Sequence, residues 1–174
     1  FREFSKDMKR WAALFQIRAL TSRYKLHKYA AEMVSTGRKT VCIDRPLWAD
    51  TVFALILFQQ GFMSKPEWEL YRDLLGEMKR ELRYPDVMLY LKATPEKCKE
   101  RIDRRKRPEE LGIPLSYLQA LHDGHDMYMN DMSNFTRVIT VEWDTFEMPM
   151  NELNKQIEDA AMETRRFMKD IRRL

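Results

Sequence analysis

Residues 87–105 read VMLYLKATPEKCKERIDRR. The first five are apolar or β-favouring without a break, the pattern of a short strand buried on both faces. Thr94, Pro95 and Lys97 then open a segment of helical spacing that runs to about residue 105. A buried strand feeding directly into a helix is half of a βαβ unit. It sets the expectation of a parallel sheet with helices on both faces.

The same alternation extends outward in both directions. Residues 40–43 and 138–141 read as two further strands of the same kind. Helical periodicity covers about residues 9–34, ending at Thr36-Gly37, and about 47–60, ending at Gly61. A third helix starts after Ser64, where Pro66 suits a first turn and Glu67 completes a Ser-x-x-Glu capping box, and it continues to about 82. Pro114 starts a helix to about 132, and the last helix covers about 151–171. The fold class expected is α/β, a three-layer open parallel sheet with helices on both faces, in a single domain. Three strands are few for such a sheet, which commonly has about five. One or two strands are therefore expected before Phe1.

The 174 residues suffice for one compact core. The net charge is +4, but Lys and Arg are interleaved with Asp and Glu almost everywhere. The charge thus reads as solvated helix faces rather than a nucleic-acid surface. The longest apolar run, residues 52–58, falls well short of the roughly 20 residues of a membrane span. Cys42 and Cys98 form no metal-ligand spacing and read as reduced thiols of an intracellular protein. A cytoplasmic location is expected, although a chain opening at Phe1 leaves room for a targeting segment.

Three constellations carry chemistry. Asp44-Arg45-Pro46 follows the strand at 40–43, and ligands of open α/β sheets sit at the carboxyl ends of strands. Asp44 there can hold Mg²⁺ through water and Arg45 can steady developing phosphate charge; a structural Asp-Arg pair fits equally. Arg101, Arg105 and Arg107, followed by Glu109 and Glu110, suit a lid closing on phosphates. They also suit a solvated helix end that meets its dipole. Gln16 and Arg23 are seven apart and share a helical face with Phe15 and Leu20. With Asp50 they can read a nucleobase edge or form a buried structural network, since polar groups on an apolar face need partners. His27 is expected at the surface, and His122 and His125 without an acid partner. Trp11, Trp68 and Trp143 read as core; Trp48, just past Arg45, stays open as a stacking platform.

Together these segments resemble the deoxynucleoside kinase family over nearly the whole chain. Lys9-Arg10-Trp11 through Phe15-Gln16 to Ser22-Arg23 is similar to its nucleoside-binding helix, and Asp44-Arg45-Pro46 with Asp50 to its Glu/Asp-Arg-Ser motif. Residues 90–96, 101–110 and 113–118 with Leu121-His122 resemble its lid and the following helix, the most specific match. The resemblance implies an ATP- and Mg²⁺-dependent kinase acting on a purine deoxynucleoside or deoxycytidine. Gln16, Arg23 and Asp50 would contact the base, with Phe15 and Trp48 in the substrate-binding set. Glu110 would reach the 3′-hydroxyl. Asp44 would assist Mg²⁺, Arg45 would meet the 5′-hydroxyl and transferring phosphate, and Arg101, Arg105 and Arg107 would close on ATP. A homodimer is also implied.

The departures bear on activity. No Gly-x-x-x-x-Gly-Lys-[Ser/Thr] loop occurs in these residues, and the family's catalytic carboxylate has no counterpart. The motif's serine is Pro46, and a tyrosine that often precedes Arg10-Trp11 is Ser5. The 174 residues by themselves are expected not to phosphorylate a substrate. The alternative implied by the same resemblance is a non-catalytic accessory subunit of mitochondrial respiratory complex I.

Overall fold

The computed structural model describes Phe4 and residues 7–37, 40–110, 112–144 and 150–171. They divide into two compact units, Phe1–Arg83 with Lys106–Gly112, and Tyr84–Arg105 with Ile113–Leu174.

The first unit is built on α1, Met8–Ser35. Asp7 caps it, its carboxylate accepting from the Arg10 amide at 3.1 Å. Ala12, Ala13, Gln16, Leu20, His27 and Ala30 form its buried stripe, at steps of three and four or their multiples. The helix stops at Thr36, and Gly37 takes a φ of +101° that a side chain would resist. A 3-10 turn, Leu47–Ala49, leads into α2, Asp50–Gln59. The sequence suggested one continuous helix here. Pro46 instead accepts the Ala49 amide three residues on, so the first turn is wound tighter. Helix α2 is apolar on nearly every side, and Val52, Ala54, Ile56 and Leu57 are all buried. Helix α3, Lys65–Arg80, begins at the expected cap: the amide and hydroxyl of Ser64 both donate to Glu67, each at 2.7 Å. Helices α1, α2 and α3 pack against one another around Leu20, Leu47, Leu57 and Tyr71.

Residues 40–43 are not a strand. They keep the alternation of one, with Thr40 and Cys42 exposed and Val41 and Ile43 half-buried, but no strand pairs with them among the described residues. A strand without a ladder partner has the dihedral habit and lacks the hydrogen bonds.

The second unit holds the described sheet, β1, Val87–Lys92, and β2, Arg137–Glu142, parallel in register from Val87 opposite Arg137 to Lys92 opposite Glu142. The crossover contains α4, Pro95–Arg105, and α5, Leu115–Met132, which pack together. Helix α6, Met150–Ile171, lies against β2, and Ala160 closes a core with Ile139 and Val141. Opposite residues of a parallel pair share a face. Leu89 and Leu91, beside Ile139 and Val141, nevertheless remain 52% and 49% exposed, so β1's share of this face is uncovered in the unit. No helix among the described residues is long and apolar enough to cross a membrane.

Candidate functional site

Helix α1 and the start of α2 place the first polar group in the core of the first unit. Arg23 Nε donates to Asp50 Oδ1 at 2.5 Å, with the Asp50 side chain 2% exposed and that of Arg23 25%. Asp50 heads α2, where a carboxylate favours the helix dipole. Burial raises its carboxyl above the ordinary value, and the Arg23 charge and hydrogen bond, with Arg45 and Tyr71, only offset this in part. Its Oδ2, the Thr51 hydroxyl and the Tyr71 hydroxyl are buried with no hydrogen bond of good geometry among the described residues. Two turns before Arg23, Gln16 is also buried. Gln16 and Asp50 are thus buried and Arg23 half-buried, and the structure joins Arg23 to Asp50.

Phe15 is half-buried, its ring stacked on Phe4 at 4.6 Å. Trp48 is 4% exposed and meets the edge of His27, with ring centroids 5.0 Å apart at 81°. His27 is thus a core residue and not the surface histidine its flanking lysines suggested. Its fall in pKa is due to that burial. Asp44 is exposed, directly before Arg45, which adopts a left-handed backbone with φ of +59° and lays its guanidinium over Phe53 at 4.2 Å.

The segment read as a lid is shared between the two units. Arg107 and Glu110 belong to the first. There a 3-10 turn, Pro108–Glu110, buries Glu110, and Arg107 Nη1 stands 3.5 Å from its Oε1. Arg101 and Arg105 belong to the second, on α4. Arg101 donates to the Trp143 carbonyl just past β2. The strand ends are joined there, since the Trp143 amide donates to Lys92 and the Thr94 amide to Asp144, each at 2.6 Å. Arg105 is exposed at the last residue of α4.

Sequence reasoning missed three participants. Phe53 lies one turn after Asp50 on α2, so the i, i+3 spacing could have found it. Tyr71 comes from α3, and no local pattern links it to Asp50. His122, expected to lack an acid partner, has Asp126 at 3.6 Å on the next turn. Asp126 also accepts from Lys92 at 2.6 Å and Tyr90 at 3.1 Å, a clamp between β1 and α5.

The comparisons with known proteins converge on these elements. A family model described as deoxynucleoside kinase matches residues 1–169. The chain is 31% identical over 170 residues to deoxyadenosine kinase of Dictyostelium discoideum, covering 98% of this chain and 67% of that protein. It is 37% identical over 130 residues to the mitochondrial deoxyguanosine kinase of Xenopus laevis, covering 71% and 49% respectively. The chain thus spans two thirds of the first relative's length and about half of the second's. A solved structure of deoxyadenosine kinase from M. mycoides with bound dCTP superposes with a TM-score of 0.70 over 89% of this chain and 79% of that one. At 24% identity the superposition speaks for the fold. Matched across nearly all of its length, by sequence and by fold, the chain belongs to the deoxynucleoside kinase family.

Proposed function

We propose that the protein is a deoxynucleoside kinase that transfers the γ-phosphoryl group of ATP to the 5′-hydroxyl of a purine deoxynucleoside or deoxycytidine. The observation that carries this reading is the buried Arg23–Asp50 pair at 2.5 Å. A guanidinium paired with a buried carboxylate sets donors and acceptors side by side, as a donor–acceptor edge requires. Ionised Asp50 Oδ2 suits an N–H donor of adenine, guanine or cytosine, and buried Gln16 adds one donor and one acceptor. Phe15 and Trp48 complete the substrate-binding set in this reading. The relatives named above carry the names of kinases, which supports an enzyme over a non-catalytic subunit.

In this reading Glu110 accepts from the 3′-hydroxyl, and Arg45 donates to the 5′-oxygen and the transferring phosphate. Arg101, Arg105 and Arg107 supply permanently charged donors to the ATP phosphates. Their work is positioning and charge stabilisation, which dominate phosphoryl transfer. Among the described residues no group of three carboxylate, thiol or imidazole side chains gathers to cage a metal. Exposed Asp44 therefore fits Mg²⁺ as a single carboxylate beside waters and phosphate oxygens. Bound there, Mg²⁺ neutralises phosphate charge. Exposed Leu14, Leu26 and Tyr29 on one side of α1 support a homodimer.

The test is an assay of the full-length protein with labelled ATP, Mg²⁺ and each deoxynucleoside in turn. Label is expected on deoxyadenosine, deoxyguanosine or deoxycytidine, at rates at least about tenfold above thymidine. Transfer to none of them sinks the kinase reading; preference for thymidine sinks the base assignment.

A further inference from the structure

The turn that leaves β1 for α4 is tied from two directions. Just past β2, the Trp143 amide donates to the Lys92 carbonyl, and Asp144 accepts from the Thr94 amide, each at 2.6 Å. The carbonyl between them, that of Ala93, is taken by α5: His122 Nδ1 lies 3.0 Å from it. A carbonyl oxygen can only accept, so Nδ1 carries the proton and donates. The other ring nitrogen, Nε2, stands 3.6 Å from Asp126 Oδ2 one turn along α5. That carboxylate also accepts from Lys92 Nζ at 2.6 Å and from the Tyr90 hydroxyl at 3.1 Å. Burial pushes the Asp126 carboxyl up, but the bonds from Lys92 and Tyr90 and the charges of Lys92 and His122 outweigh it and leave the group below its ordinary value. An ionised Asp126 therefore faces one edge of the imidazole while the opposite edge holds the backbone, and such paired contacts fix a histidine's tautomer and orientation.

Helix α4 continues directly from this turn. The Thr94 carbonyl accepts the Cys98 amide at 2.9 Å, and its hydroxyl accepts the Lys97 amide at 3.4 Å. The backbone of residues 93 and 94 thus sets the direction of the helix that carries Arg101 and Arg105. At 1.5 Å of rise per residue Arg105 stands about 15 Å along the axis from Pro95, so a tilt of about 4° at the turn moves it by about 1 Å. Displacements of that size are enough to impair a reaction that depends on positioned donors.

We propose that His122 is a positioning residue: its Nδ1–H pins the Ala93 carbonyl and so fixes the direction in which α4 presents Arg101 and Arg105. What these arginines bind, the phosphates of ATP, rests on the kinase reading; the pinning of the turn does not.

The experiment uses the full-length protein as wild type, His122→Leu, His122→Asn, Arg101→Ala and the His122→Leu/Arg101→Ala double variant. His122→Leu is expected to lower kcat/KM for ATP about tenfold and leave the deoxynucleoside KM within about twofold. His122→Asn puts an amide N–H near the position of Nδ1 and should stay within about twofold of wild type. In the Arg101→Ala background His122→Leu should cost at most about threefold. Independently of activity, the Lys97 and Cys98 amides should exchange with solvent about tenfold faster in His122→Leu and at the wild-type rate in His122→Asn. Nitrogen NMR of the wild type should find His122 Nδ1 protonated. An ATP kcat/KM unchanged in His122→Leu, an Asn variant as impaired as the Leu variant, a deoxynucleoside KM raised alongside the ATP defect, an undiminished effect beside Arg101→Ala, or an unprotonated Nδ1 overturns the proposal. If wild type transfers no phosphate, the kinase reading fails, and the exchange rates and the Nδ1 proton decide whether His122 pins the turn. Should His122→Leu not fold, His122→Phe replaces it under the same criteria.

Discussion

At the scale of single residues, Asp50 and His27 show what burial does to charge. Asp50 has its carboxyl raised, so ionising it opposes folding: that contribution favours the fold below about pH 3.8 and is lost as pH rises through the raised folded value. Asp50→Asn keeps the shape and removes the buried charge, at the expense of part of the Arg23 bond. The two effects are of opposite sign, so the melting temperature should stay within about 4 °C of wild type. On the proposed reading the deoxynucleoside kcat/KM should fall on the order of 100-fold, because an acceptor that would meet the base becomes a donor. Equal activity in Asp50→Asn contradicts the assigned role. His27 shifts the other way, lowered from 6.5 by burial. Its neutral form stabilises the fold above pH 6.5, and that stability is lost as pH falls through the lower folded value. Urea midpoints measured at about pH 7.5 and about pH 5.5 should differ more in wild type than in His27→Phe. A wild-type difference no larger than the variant's rejects this account. Gln16, Arg23 and Asp50 were legible because polar residues on an apolar stripe announce themselves. His27 was not, since its Trp48 neighbour lies 21 residues away in sequence and no local pattern links them.

The elements follow their local chemistry closely where that chemistry is self-contained. Ser64 and Glu67 predict the start of α3, and Gly37 and Gly61 predict the ends of α1 and α2, because caps and left-handed stops act within a turn. The α3 cap has a measurable worth. The Ser64 amide, and then its hydroxyl, hold the Glu67 carboxyl below its ordinary value of 4.5. Its contribution is thus present above that value and lost as pH falls through the lower folded one. Glu67→Ala should cost about 1 kcal/mol near neutral pH, read as a melting temperature lower by about 2–4 °C. The deficit should shrink as pH falls through that lowered value, and a deficit that stays constant with falling pH would assign the loss to packing instead. Residues 40–43 illustrate the limit of local reading. Their alternation is strand-like and still visible as exposure, yet a strand is completed by hydrogen bonds from elsewhere. Likewise the clamp of Lys92, Tyr90 and His122 on Asp126 joins β1 to α5. Only its His122–Asp126 step, four residues apart, lay within reach of a helical pattern.

Taken as a whole, the chain passes between its two units after Arg83, after Arg105 and after Gly112. Composition does not mark these points in common, since Arg83 and Arg105 are charged whereas Gly112 lies between Leu111 and Ile113. Backbone geometry marks two: Lys106, exposed and directly after the last residue of α4, has a φ of +53°, and Gly112 one of +90°. Brief treatment with trypsin should therefore cut first at Arg83, Arg105 or Lys106, and spare Arg107, which precedes Pro108. First cuts within α1 or α5, read by mass spectrometry of the fragments, contradict that division. The return of Lys106–Gly112 to the first unit also has a bearing on birth at the ribosome. Synthesis delivers α1, α2 and α3 early, but their unit lacks its last piece until Gly112 has left the exit tunnel. By then β1 is already out and its partner β2 is not. The nascent polypeptide must carry an unpaired strand with Leu89 and Leu91 in water for the time it takes to translate α5, and that interval is when a chaperone has most to bind.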